Sequence, residues 1–205
     1  MSEHSVSPKK SSPFLDHQHF RIAFLLLAIT GIVAILLGVV NGLTKDKIAS
    51  IAEEKATAAR KAVLSEAAEF EDLGYAEGTV LSAYKALDAE GNLIGFAIET
   101  GANGFGGAVD QIVGVKAASI GESVYQLSVS DVAILDISDE TPGVGSKVSN
   151  TSFLSQFAGM TAETLASDFD AVSGASYSSE GVRAGVEAAL ALAENIIEQS
   201  GGSVK

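Results

Sequence analysis

The stretch VLSAYKALDAEGNLIGFAIET, residues 80–100, decides the fold class. Val80–Leu87 and Leu93–Thr100 are short runs rich in strand formers, and Asp88-Ala89-Glu90-Gly91-Asn92 between them carries turn chemistry. The spacing predicts a β-hairpin, and hence an antiparallel sheet. C-terminal to it lie the glycine-rich run Gly101–Gly107, two more strand candidates at Val109–Lys116 and Tyr125–Leu135, and a loop at Asp139–Gly145 containing Pro142. Asn150–Met160 reads as helical, with Phe153, Leu154 and Phe157 on one face. A short strand or turn follows near Phe169–Val172, then the hydroxyl-rich turn Ser173–Ser179. A final helix is expected over Glu180–Gln199, capped by Ser178 or Ser179, with Val182, Val186, Ala189, Leu190, Ala193, Ile196 and Ile197 on its buried face. Strands first and helices after them define an α+β domain with an antiparallel sheet and flanking helices.

Upstream of the hairpin, residues 45–69 lack Gly and Pro and are rich in Ala, Glu and Lys. They are expected to form a helical connector, within residues 45–72, acting as a solvated stalk. Before it, IAFLLLAITGIVAILLGVV at residues 22–40 is free of charge. At 1.5 Å per residue it spans about 28 Å, close to the hydrocarbon thickness of a bilayer. The run is longer than a signal-peptide core, and Asn41-Gly42-Leu43-Thr44 is a poor cleavage site. Residues 21–44 are therefore expected to be a retained transmembrane helix, residues 1–20 a disordered tail, 73–199 the folded domain and 200–205 a flexible end. Lys9, Lys10 and Arg21 precede the span, and Lys45 and Lys47 follow it. Three cations against two favour a cytoplasmic N-terminus and an extracytoplasmic domain.

Composition narrows the chemistry. The 205 residues are 47% apolar, and 26 acidic against 13 basic residues give a formal charge of −13. That charge counts against nucleic acid as a partner. There is no cysteine, which removes disulfides, thiolate metal sites and a thiol nucleophile. The histidines are His4, His17 and His19, so the folded part has no imidazole base or ligand. Redox or transfer chemistry here calls for a non-metal cofactor.

Three segments carry chemistry. In Gly101-Ala102-Asn103-Gly104-Phe105-Gly106-Gly107, glycines allow positive φ and close backbone approach to a ligand, although a plain turn would use them equally. Asp139-Glu140-Thr141-Pro142-Gly143-Val144-Gly145 is a tight loop whose Thr141 can offer a hydroxyl to a polar ring edge. Asp170-Ala171-Val172-Ser173-Gly174-Ala175-Ser176-Tyr177-Ser178-Ser179 is a turn before a helix, where N–H groups and the helix dipole favour an anion.

In this order after one span, Gly104–Gly107, Glu140–Gly145 and Asp170–Ser176 resemble the FMN-binding domain found in the G subunit of the Rnf electron-transport complex. The C subunit of the sodium-translocating NADH:quinone reductase shares that domain. The resemblance covers about residues 20–195. It implies a membrane-anchored flavoprotein subunit that relays electrons, beside other membrane subunits of an ion-translocating ferredoxin:NAD oxidoreductase. FMN would be joined by a phosphoester to Ser176, which stands where the family usually has Thr, and installed by a flavin transferase. Glu140, Thr141 and the backbone of Gly143 would flank the isoalloxazine ring. Pro142, Ser173, Gly174, Ala175, Gly106 and Gly107 complete the cofactor-binding set that the resemblance implies. Val144 replaces the family's Leu, and Lys116–Val129 is longer than the usual connector. Alternatives are an FMN carrier of another extracytoplasmic or quinone-reductase chain, and a flavin-free extracytoplasmic binding module.

Overall fold

The hairpin of residues 80–100 lies inside a six-stranded sheet in the computed structural model, which describes residues 17–205. The strands are β1 (Glu69–Asp72), β2 (Val80–Leu87), β3 (Leu93–Asn103), β4 (Ala108–Gly121), β5 (Val124–Asp136) and β6 (Ser203–Val204), in the spatial order β1-β2-β3-β4-β5-β6. The first five form an antiparallel meander, and β6 pairs parallel to β5. In the β2–β3 turn, Asp88 Oδ1 accepts from the N–H groups of Glu90 at 3.0 Å and Asn92 at 2.8 Å. Gly91 takes φ +84°, which a Cβ would disfavour. The Asn92 side chain, at 3.0 Å, is the main reason the Asp88 carboxyl is held below its ordinary value.

The longer stretch Lys116–Val129 is the outer half of the β4–β5 hairpin, paired from Lys116↔Ser128 to Gly121↔Val124. It turns through Ser123, at φ +60°. The C-terminal end is not a free tail: Ser203 and Val204 pair with Val124 and Tyr125, and Lys205 N–H donates to Tyr125 O at 3.0 Å.

Helices cover both faces of the sheet. On one face lies α4 (Ser176–Gln199), four residues longer at its start than the periodicity predicts. Val182, Val186, Ala189, Leu190, Ala193 and Ile197 are buried against Phe96, Ile98, Val109, Val113 and Val115, while Ile196 is only partly buried. Each large apolar side chain removed from water there contributes about 1.5–3 kcal/mol. The same face is completed by short pieces: a 3-10 turn at Gly145–Ser149, α2 (Thr151–Leu154), a second 3-10 turn at Ser155–Phe157, and α3 (Ala162–Asp168). The expected helix over 150–160 is thus broken, and residues 162–168 form a helix the periodicity missed. Thr161 and Thr164 make a reciprocal capping box for α3. Residues 169–172 are neither strand nor helix.

The other face is covered by the C-terminal part of α1 (His17–Val63). Ala56, Val63, Leu64 and Ala67 are buried with Ala86, Ala97 and Ile112. Arg60 is buried, its guanidinium 4.0 Å from the Tyr84 ring centroid, and it pairs with Glu53. The stalk is therefore not solvated at this end. Apolar Ala, Val and Leu at helical spacing form one layer of the domain, and Glu69–Asp72, expected to continue the connector, is strand β1.

The chain divides into two units, Met1–Ile51 and Ala52–Lys205. In the first, α1 begins at His17, inside the expected tail; residues 1–16 lie outside the described residues. Phe20–Val63 contains a segment long and apolar enough to cross a membrane. Its large side chains are bare, with Leu27 at 68% and Leu37 at 65% exposure. Its hydroxyls are satisfied within the helix: Thr30 donates to Leu26 O at 2.9 Å and Thr44 to Val40 O at 2.7 Å.

Gly114 marks where α1 meets the sheet, because a Cβ there would lie 2.6 Å from Val63 O and 2.9 Å from Val63 Cβ. Gly114→Val is expected to destabilise the domain by roughly 1–3 kcal/mol through overpacking, read as a lowered midpoint in thermal unfolding.

Candidate functional site

The three motif segments meet at one end of the sheet. β3 runs on to Asn103, so the glycine loop is the tight turn Gly104–Gly107, closed by Gly104 N–H to Gly107 O at 2.8 Å. Pro142 and Gly143, the latter at φ +75°, turn the second loop, which feeds the 3-10 turn at Gly145. Gly174, at φ +80°, delivers the third segment to Ala175, the residue before α4.

Glu140 joins the first two segments. It is 3% exposed; its Oε1 accepts from Phe105 N–H at 2.8 Å and its Oε2 from Thr141 N–H at 3.3 Å. A Cβ at Gly104 would fall on Oε1, and one at Gly145 would fall on Oε2 and lie 3.0 Å from Ser178 Oγ. Both glycines are therefore required by the carboxylate between them. Gly106 and Gly107 pack on Asp139, where a Cβ on Gly106 would strike the Asp139 carbonyl oxygen. Nearby, burial and then the charges of Asp136 and Asp139 raise the Asp110 carboxyl above its ordinary value.

The third segment sits at the start of α4. Ser178 and Ser179, expected as caps, are buried inside the first turn, and the helix begins at Ser176 with no side-chain cap. Ser179 Oγ donates to Ala175 O at 2.9 Å and accepts from Val172 N–H at 3.0 Å, so it ties the turn to the helix rather than capping it. The first intrahelical bond is Ser179 N–H to Ala175 O at 2.9 Å. The N–H groups of Ser176, Tyr177 and Ser178 precede it and have no intrahelical acceptor. Ser176 itself is exposed.

Between these segments is an open cleft of about 360 Å³. Of the residues singled out in the sequence, Glu140, Thr141, Gly174, Ala175 and Ser176 line it. Pro142, Gly143, Ser173, Gly106 and Gly107 do not; they shape the loops around it. Glu140 reaches the lining as a buried strut, not as an exposed ring contact. The reading from sequence missed Phe105 and Tyr177, which line the cleft with ring centroids 6.3 Å apart and are 71% and 73% exposed. Large bare aromatics flanked by glycine and serine were the available signal. Val144 and Gly145 also contribute.

The site fits a phosphorylated, planar ligand. Unpaired N–H groups at the start of a 24-residue helix suit a phosphate, and the buried Ser178 Oγ has no hydrogen-bond partner. Phe105, Val144 and Tyr177 supply apolar surface for a ring.

Residues 104–191 match the family model of the FMN-binding domain. Over more of its length the chain is similar to two curated relatives. The G subunit of the Na(+)-translocating ferredoxin:NAD(+) oxidoreductase complex of Acetobacterium woodii is 25% identical over 201 residues, covering 86% of this chain and 92% of that protein. The G subunit of the ion-translocating oxidoreductase complex of Methanosarcina acetivorans is 26% identical over 172 residues, covering 79% and 87%. The crystal structure of Shewanella oneidensis NqrC aligns at TM-score 0.40 and 18% identity, over 61% of this chain and 66% of that one. The resemblance to the Rnf G subunit carried by the three motifs is borne out by the two curated relatives.

Glu140→Ala would leave the Phe105 and Thr141 N–H groups without their acceptor, at an expected loss of about 2–3 kcal/mol. Gly106→Val is expected to lower thermal stability or flavin content. Unfolding curves and flavin absorbance of both variants check this; wild-type values would reduce the loop to a plain turn.

Proposed function

We propose that this chain is a membrane-anchored flavoprotein subunit that relays electrons through FMN joined to Ser176, in an Rnf-type ion-translocating oxidoreductase complex. The observation that carries the reading is the convergence of three separate motif segments on one cleft, with the exposed Ser176 hydroxyl in the first turn of α4. The named functions of the two relatives and the FMN-binding domain match support it.

FMN, when bound, supplies one- and two-electron transfer in a chain with no cysteine and no histidine beyond residue 19. The protein's part is positioning. Ser176 contributes the oxygen of the phosphoester. The α4 N-terminus favours the phosphate charge. Thr141 would offer a hydroxyl to a polar ring edge, and Phe105, Val144 and Tyr177 would supply apolar surface against the ring. Glu140 holds the two loops at fixed separation. The remaining partners are the other membrane subunits of the complex and a flavin transferase that matures the chain. The domain lies outside the cytoplasm, following the flanking cations Lys9, Lys10 and Arg21.

Co-expression with a flavin transferase followed by peptide mass spectrometry tests this. Native protein is expected to carry an FMN increment on Ser176. Ser176→Ala is expected to lose it and Ser176→Thr to keep it, while alanine at Ser173, Ser178 or Ser179 leaves attachment in place. An increment elsewhere, or none on the native chain, overturns the assignment. In spheroplasts, added protease is expected to digest the domain after residue 45 and spare the N-terminal tail; protection of the domain would reverse the topology.

A further inference from the structure

The first turn of α4 contains three serines, and their hydroxyls have three different fates. Ser176 is exposed, and Ser179 is spent on Val172 and Ala175. Ser178 is 1% exposed and lines the cleft, yet its Oγ has no hydrogen-bond partner. A buried hydroxyl left unpaired costs about 1–3 kcal/mol, so its burial here calls for an acceptor that the folded chain does not supply. Glu140 is the one carboxylate lining the cleft, and it accepts from the N–H groups of Phe105 and Thr141, not from Ser178. A ligand in the cleft can supply the acceptor that Ser178 lacks. Around it are N–H groups without intrahelical acceptors and the positive end of a 24-residue helix, which together select an anion.

We infer that Ser178 is a phosphate-binding residue in its own right. Its hydroxyl donates to an oxygen of the phosphoryl group, so the cleft recognises the phosphorylated end of a flavin without the covalent bond at Ser176. This rests on the FMN reading above and adds to it a non-covalent phosphate subsite. Binding and attachment are thereby divided between two serines in the same helical turn, one buried and one exposed. A hydroxyl whose role is to meet a ligand also has an unusual signature: its removal does not weaken the free protein, because nothing in the protein depends on it.

The test uses the full-length chain in detergent carrying Ser176→Ala, which blocks attachment. FMN and riboflavin are titrated by flavin fluorescence polarisation, with inorganic phosphate as competitor. FMN is expected to bind at least about tenfold more tightly than riboflavin, and phosphate to displace FMN only. Adding Ser178→Ala is expected to weaken FMN about tenfold or more, leave riboflavin unchanged, and leave the thermal midpoint of the ligand-free protein equal or higher. Equal affinity for FMN and riboflavin, no measurable flavin binding, an unchanged FMN affinity in Ser178→Ala, or a lowered midpoint each overturns the inference. If native protein carries FMN on Ser176 while any of these holds, the inference fails and the functional reading stands. If native protein carries no FMN, the functional reading fails.

Discussion

A single buried carboxylate holds the site together. Glu140 lies between the glycine turn and the helical face, accepting from Phe105 and Thr141 in a region shielded from water. A charge in that position is tolerated only when its oxygens are hydrogen-bonded. The constraint then spreads outward. Gly104 and Gly145 must be glycine because the carboxylate fills the space their side chains would take. Gly181 lets α4 approach the end of β3, where a Cβ would lie 2.9 Å from Asn103 O. The cleft is what remains once loop, strut and helix have taken these positions.

A second polar contact sets the placement of α4 farther along the sheet. Gln111 Nε2 donates to Val182 O at 2.9 Å, and Gly185 sits over Gln111 and Thr100 with no room for a side chain. A long apolar face can slide along a sheet at little cost; a buried amide aimed at one carbonyl cannot. The apolar layer supplies the adhesion of α4, and the Gln111 contact fixes where along β3 and β4 its first turn falls.

The elements that were legible in the sequence are those whose pattern is local and long. The β2–β3 hairpin has alternation plus a turn with Asp88 and Gly91. α4 repeats its apolar face over about six turns, and the transmembrane run needs only length and hydropathy. What was not legible depends on partners distant in sequence. β1 and β6 are four and two residues long and exist as strands because β2 and β5 offer edges to pair with. The segment 150–160 looks helical because Phe153, Leu154 and Phe157 recur at helical spacing, yet Asn150 and Ala158 adopt extended backbone and confine the helical turns to residues 151–157. The start of α4 was misplaced for a related reason. Ser178 and Ser179 have the composition of a cap, but their side chains point into tertiary contacts and the cleft, and Ala175 takes the terminal position without one. At the site, the motif residues and their order were readable, whereas the burial of Glu140 emerges only from packing.

The strand order has a consequence for how the domain is made. Strands β1 to β5 each pair with their neighbour in the chain, so the sheet grows by closing short loops in succession as the polypeptide lengthens. Such local pairings form quickly and carry little loop-closure entropy. The last helix is α4, and it packs on an apolar sheet face together with the short helical pieces that precede it. Ser176 opens that helix. The turn that carries Ser176 is thus the last part of the cleft to be supplied as the chain lengthens, because Phe105 and the loop from Glu140 to Gly145 precede it in the sequence.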